Sequence, residues 1–130
     1  MLFVLLQQNL KYHYPDIPIF VDTKKMWLDK FKGCFLKINE LEFDAAKTNT
    51  ADVIVTLGDK GAKYKGVVYN APHIEVTDVT GAGDTFLAAL TFEYLRTKKI
   101  PSAIQFAIKA SSITVQHFGC YAPTLEEICG

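Results

Sequence analysis

The stretch Asp78-Val79-Thr80-Gly81-Ala82-Gly83-Asp84-Thr85-Phe86 is the part of the sequence from which the fold is best inferred. Its two glycines flank one alanine, so the backbone can turn sharply and come close to a ligand. A strongly apolar run with helical spacing follows, which places the amides of residues 81–84 at the start of a helix. Unpaired amides and the positive end of a helix dipole together suit an anion such as a phosphoryl group.

Asp84 falls in the first turn of this predicted helix, beside the expected anion site. A carboxylate in that place can accept the proton of a substrate hydroxyl as the hydroxyl attacks a γ-phosphate. The structural alternative is a plain strand-to-helix turn in which Asp84 only caps the helix. The spacing of these residues leaves both interpretations open.

The same stretch resembles the C-terminal signature of the ribokinase, or pfkB, family of carbohydrate kinases, including the small residues that follow it. The resemblance implies an ATP-dependent kinase that uses Mg²⁺ and phosphorylates a sugar or sugar phosphate. It also implies that the backbone of Gly81, Ala82 and Gly83 forms the anion hole and that Asp84 is the catalytic base.

Composition describes an ordinary globular chain of 130 residues, with 49% hydrophobic and 22% charged residues. Fourteen basic and fourteen acidic side chains cancel, which argues against a nucleic-acid or membrane partner. The first six residues are apolar but too short to span a bilayer and lack the features of a signal peptide. The expected location is therefore the cytoplasm, with free thiols at Cys34, Cys120 and Cys129.

Three apolar runs, at residues 17–21, 34–38 and 52–57, are typical of strands buried on both faces. They alternate with helical patterns, which indicates one α/β domain over residues 1–130, with a mostly parallel sheet and helices on both faces. The pattern also predicts a hairpin over 62–70, a strand at 73–77, a helix at 2–13 that packs on the sheet, and further helices near 26–32, 39–47, 85–98, 102–117 and 123–128.

Three polar clusters follow predicted strands, at residues 39–42, 56–61 and 80–84. In parallel sheets ligands bind beyond the carboxyl ends of the strands. We therefore expect the three clusters to converge on one edge of the sheet.

Asn39 and Glu42 stand three residues apart at a predicted helix start. An amide and a carboxylate there can order the water around a Mg²⁺ ion, or they can simply cap the helix. The resemblance implies the first role, because Asn-x-x-Glu is the motif by which ribokinase-like enzymes position metal and triphosphate.

The resemblance assigns roles to further residues, each with a structural alternative. Thr56, Gly58 and Gly61 match a turn that borders the nucleotide, but such a turn is also ordinary after a strand. Asp78 and Thr80 match positions that help to coordinate a monovalent cation such as K⁺, although both are common turn formers. Ile108 falls where the family often has a polar residue in the adenine pocket.

Residues 39–45, 78–85 and 118–124 resemble one group of the family, the heptose-7-phosphate kinase/ADP-heptose synthase group, which implies transfer to the anomeric hydroxyl of a sugar phosphate. The resemblance covers only the C-terminal half of a family catalytic domain. Three functions therefore stay open: a kinase half, completed by an N-terminal half or a homodimer; a non-catalytic nucleotide-binding or interaction module; and a nucleoside or vitamin kinase.

Overall fold

The computed structural model describes residues 2–22, 24, 31, 33–46 and 52–130. The chain divides into two compact units, and each is described by itself. The first unit comprises residues 1–57 and 63–67, and the second comprises residues 58–62 and 68–130. The predicted helix at 26–32 and the segment 47–51 lie outside the described residues, apart from Phe31.

A five-stranded sheet runs in the order β1-β2-β3-β4-β5. Its strands are β1 (Phe20–Asp22), β2 (Phe35–Asn39), β3 (Asp52–Thr56), β4 (Ala62–Tyr64) and β5 (Val67–Tyr69). The pairs β1–β2 and β2–β3 are parallel, which confirms the mostly parallel sheet predicted from the apolar runs. The hairpin is also confirmed, and its two turn residues, Lys65 and Gly66, both have positive φ angles.

The core of the first unit lies on one face of β1–β3. Alternate residues of the strands point to that face, where Leu36, Ile38 and Val55 are buried. Helix α2 (Glu40–Ala46) follows β2 directly, so the chain turns from strand to helix at Asn39.

Helix α1 (Leu2–His13) confirms the helix predicted at the start of the chain, but the packing face that its leucines predict is wrong. Leu5, Leu6 and Leu10 are exposed, whereas the polar side chain of Gln7 is buried. The apolar spacing identified a helix correctly but did not identify which face of the helix is covered.

The second unit is built on α3 (Ala82–Thr97), α4 (Ile100–Thr114) and the short α5 (Leu125–Cys129). Helices α3 and α4 pack together through small and apolar side chains, among them Ala89, Leu90, Ala103 and Ala107, which are buried. Pro101 lies in the first turn of α4, where its missing N–H costs nothing.

Two predictions for this unit are wrong. Residues 71–76 do not form a strand; the N–H groups of Thr77 and Asp78 both donate to the carbonyl of Val115, at 2.8 and 3.1 Å. Helix α4 ends at Thr114, before the predicted end at His117, because the N–H groups of Gln116 and His117 donate to carbonyls only three residues behind.

Candidate functional site

The start of α3 confirms the predicted turn into a helix. Gly81 is the N-cap residue in the left-handed conformation, with φ of 79°, and no side chain caps the helix. The N–H of Ala82 donates to the carbonyl of Val79 at 3.1 Å, so this amide is already used. Within the described chain, the N–H groups of Gly83 and Asp84 donate to no acceptor. Two amides at the helix start are therefore open to an anion.

Asp84 lies in the first turn of α3 and its side chain is exposed. Among the hydrogen bonds of the described residues, none involves its carboxylate. The structural alternative, in which this carboxylate caps the helix, therefore finds no support. A carboxylate with free oxygens next to free amides can accept a proton from a group held at those amides.

Asp78 fixes the loop that precedes α3. Its Oδ1 accepts the N–H and the hydroxyl of Thr80, at 2.9 and 2.6 Å, and its Oδ2 accepts the N–H of Gly119 at 2.9 Å. The Thr80 hydroxyl and then the two N–H donors lower the pKa of the Asp78 carboxyl. Turn chemistry is sufficient to explain both Asp78 and Thr80.

Asn39 and Glu42 form a reciprocal capping box at the start of α2. The Asn39 N–H donates to Glu42 Oε2 at 2.9 Å, and the Glu42 N–H donates to Asn39 Oδ1 at 2.8 Å. Within the described residues, Glu42 Oε1 and the Asn39 amide nitrogen take part in no hydrogen bond. The helix-capping interpretation is thus observed, and one carboxylate oxygen stays available for a hydrated metal ion.

Thr56 lies directly opposite Asn39 in the parallel register of β2 and β3. Its hydroxyl donates to the carbonyl of Ile38 at 3.3 Å. The structure therefore brings together two of the predicted site residues of the first unit, at the carboxyl ends of neighbouring strands.

Gly58 and Gly61 belong to the second unit, as do all predicted residues of the 78–84 stretch. Gly61 has φ of +107°, and a Cβ there would lie 1.9 Å from the Tyr69 carbonyl oxygen, so the position requires glycine. Gly58 has φ of +61° and open space around it. That all three polar clusters form one site stays a prediction.

Ile108 is buried and lines a cavity of about 500 Å³ in the second unit. Apolar and polar groups share its wall, as a planar heteroaromatic base with polar edges requires. The lining residues are Val68, Tyr69, Asn70, Pro72, Gln105, Ile108 and Lys109.

Lys37 is a polar residue of the sheet that sequence reasoning missed. It is buried in β2, and its Nζ lies 2.9 Å from Asp22 Oδ2 at the end of β1. The sequence does contain a sign of this ion pair, because a lysine inside an apolar strand needs an anionic partner nearby.

Neither a candidate membrane span nor a candidate metal-binding cluster occurs among the described residues. None of the described helices combines the length and apolar character that a bilayer span needs. No group of three or more His, Cys, Asp or Glu side chains in the described ranges is arranged to hold a metal ion. In the described part of the chain, Cys34, Cys120 and Cys129 form no disulfide bond.

A mostly parallel sheet, an uncapped glycine turn into a helix and an adjacent carboxylate agree with the class that the sequence resembles, the carbohydrate kinases with the ribokinase fold. The chain belongs to that class by direct comparison: residues 35–128 match the pfkB family carbohydrate kinases, and the chain is a member of this family.

Curated relatives place the chain near one branch of the family. The bifunctional protein HldE of Nitratiruptor sp. is 33% identical over 137 residues, which cover 87% of this chain and 29% of the relative. HldE of Helicobacter pylori strain J99 is 43% identical over 79 residues, covering 58% of this chain and 17% of the relative. The chain thus spans less than a third of the length of these relatives.

Solved structures share the fold. Ribokinase of Arabidopsis thaliana, complexed with ribose and ATP, has a TM-score of 0.81 and 23% identity, and the match covers 97% of this chain and 50% of that one. Phosphofructokinase-2 of Escherichia coli has a TM-score of 0.78 and 18% identity over 96% of this chain. The match to half of each larger chain confirms that this chain corresponds to part of the ribokinase fold.

Proposed function

We propose that this chain carries the nucleotide-binding and phosphoryl-transfer half of an ATP-dependent sugar or sugar-phosphate kinase. The observation that carries the proposal is the start of α3, where two amides without acceptors adjoin a carboxylate without donors, within the described chain. Membership of the pfkB family supports the same function.

The amides of Gly83 and Asp84 bind the phosphoryl group and stabilise the negative charge that grows on its oxygens during transfer. Asp84 accepts the proton of the attacking sugar hydroxyl. Gly81 supplies the left-handed turn into α3. Its carbonyl accepts the Thr85 N–H at 2.9 Å, so the hydrogen bonds of the helix begin only after the amides of Gly83 and Asp84.

The cavity at Ile108 is the proposed adenine pocket, and the turn at Gly58–Gly61 is proposed to border the nucleotide. Both belong to the second unit, with the start of α3. Ile108 supplies an apolar wall, and Gln105 and Lys109 offer polar groups at its margin.

Magnesium fits the free Glu42 oxygen through bound water, in the indirect manner that the ion prefers. When bound with the nucleotide, the ion neutralises phosphate charge. Glu42 and Asn39 hold their positions through the capping box, and Thr56 lies beside them. A monovalent cation near Asp78 and Thr80 fits less well, because three donors already occupy the carboxylate.

The substrate that we propose is a sugar phosphate, phosphorylated at its anomeric hydroxyl, because the chain is 33% identical to HldE of Nitratiruptor sp. and its motifs resemble the heptose-7-phosphate kinase group. The second candidate function is a nucleotide-binding module without turnover.

Calorimetric titration of the purified chain with ATP and Mg²⁺, alongside a sugar-phosphate turnover assay, tests the proposal. Titrations with adenosine and with tripolyphosphate separate the Ile108 cavity from the start of α3. We expect ATP–Mg²⁺ to bind more tightly than either fragment. Binding without turnover supports a half that needs an N-terminal half or a second copy, and it favours the module for the isolated chain. A folded chain that binds none of the three ligands contradicts both candidates.

A further inference from the structure

Thr114, the last residue of α4, has a side chain that the proposed chemistry does not use. It is fully buried, with a relative exposure of 0%. Its hydroxyl oxygen lies 3.0 Å from the carbonyl oxygen of Tyr121 and 3.1 Å from the hydroxyl oxygen of Thr85. Thr85 follows Asp84 directly in the first turn of α3.

The direction of these two hydrogen bonds follows from the number of protons. A hydroxyl group carries one proton, and a carbonyl oxygen can only accept. Thr114 therefore donates to Tyr121, and Thr85 donates to Thr114. This defined chain of hydrogen bonds ties the first turn of α3 to the segment that follows α4.

The same segment holds the loop before α3 at three other places. The Val115 carbonyl accepts two N–H groups of that loop, from Thr77 and Asp78, and the Gly119 N–H donates to Asp78. At Gly81, an added Cβ would lie 3.5 Å from Cys120 Sγ, so the glycine turn rests against this segment as well. The buried Thr114 hydroxyl links Tyr121 of this segment to Thr85 on α3.

We propose that Thr114 is a positioning residue: through Thr85 it fixes the first turn of α3, and so aims the amides of Gly83 and Asp84. The inference rests on the proposed function of those amides. Small displacements of groups that orient a reacting phosphate reduce rates strongly, so one hydroxyl at the base of this turn has a measurable effect.

The test uses the whole chain with Thr114→Val, which keeps the shape and removes the hydroxyl, and Thr114→Ser, which restores the hydroxyl. Thr91→Val is the matched control, because Thr91 lies on α3, the helix of the proposed anion site, and its hydroxyl donates only to the Leu87 carbonyl of that helix, at 2.8 Å. Thr85→Val removes the other end of the hydrogen-bond chain. It tests the same chain of hydrogen bonds if Thr114→Val does not fold. The two measurements are tripolyphosphate affinity by calorimetry and the chemical shifts of the Gly83 and Asp84 amides by NMR.

We expect Thr114→Val to weaken tripolyphosphate binding by about tenfold and to change the chemical shifts of both amides in the free chain. Thr85→Val should do the same, and the double variant should lose no more than either single one. Thr114→Ser and Thr91→Val should behave as the unchanged chain does.

Equal affinity and equal amide chemical shifts in Thr114→Val and the unchanged chain would overturn the positioning role and leave the proposed function standing. The same holds if Thr91→Val weakens binding as much, since the effect would then be general destabilisation. An unchanged chain that is folded but does not bind tripolyphosphate would overturn the anion site, and the role of Thr114 with it.

Discussion

Helices α3 and α5, both in the second unit, begin in opposite ways. At α5 the Thr124 hydroxyl accepts the Glu127 N–H at 3.2 Å, and Glu127 Oε2 accepts the Thr124 N–H at 2.7 Å. At α3 the N-cap residue is Gly81, and no side chain caps the helix. One helix start is thus closed by its own side chains and the other is open, which is the difference between a structural helix end and a candidate anion site.

Helix α2 resembles α5 in this comparison, because Asn39 and Glu42 cap each other. The two capping motifs differ at one carboxylate oxygen of the glutamate. Both carboxylate oxygens of Glu127 accept hydrogen bonds, from Thr124 and from the Tyr121 hydroxyl at 2.7 Å, whereas within the described residues Glu42 keeps Oε1 free. A capping motif therefore excludes a metal role only when both oxygens are used.

The largest expected effect comes from Asp84→Asn at the open helix start. The amide cannot take the proton of the attacking hydroxyl, so turnover should fall by about 100- to 10,000-fold, while ATP affinity stays nearly unchanged. Steady-state rates and calorimetry measure the two quantities, in whichever assembly of this chain is active.

Glu126→Gln is the matched control for Asp84→Asn, since Glu126 is an exposed carboxylate in the first turn of α5. It should leave turnover unchanged. Near-normal turnover in Asp84→Asn would end the assignment of Asp84 as the base.

A smaller effect, on stability alone, is expected from Thr124→Ala at the closed helix start. Loss of the cap leaves the Glu127 N–H without its acceptor and should lower the free energy of unfolding by about 1 kcal/mol. Urea denaturation measures this change. Affinity for ATP–Mg²⁺ should not change; a parallel loss of affinity would mean that α5 supports the nucleotide site and that the contrast between the two helices is too simple.

The sequence predicted this contrast only in part. The helix start at residues 81–84 and a short helix near 123–128 were both predicted, because glycine turns and helical patterns depend on neighbouring residues. The partners of Lys37 and Thr114 were not predicted, since Asp22, Thr85 and Tyr121 reach them only after folding. The strand expected at 73–77 failed for the same reason, because the N–H of Thr77 donates to the distant Val115 carbonyl.

The smallest expected effect concerns the pH dependence of the closed helix start. The Thr124 N–H and the Tyr121 hydroxyl lower the pKa of Glu127. Its unfolded value is about 4.3, so Glu127 contributes stability above that pH and loses the contribution as the pH falls toward the lower folded value. Between about pH 7 and about pH 3, Glu127→Gln should therefore lose less stability than the unchanged chain does in urea denaturation.

Glu126→Gln is the control for this pH dependence, because in the described chain no hydrogen bond is made by the Glu126 side chain. It should keep the pH dependence of the unchanged chain. Parallel curves for Glu127→Gln and the unchanged chain would show that the charge of Glu127 adds nothing to the cap. The closed start of α5 would then rest on the Thr124 hydroxyl alone, and the open start of α3 would differ from it by a single hydrogen bond.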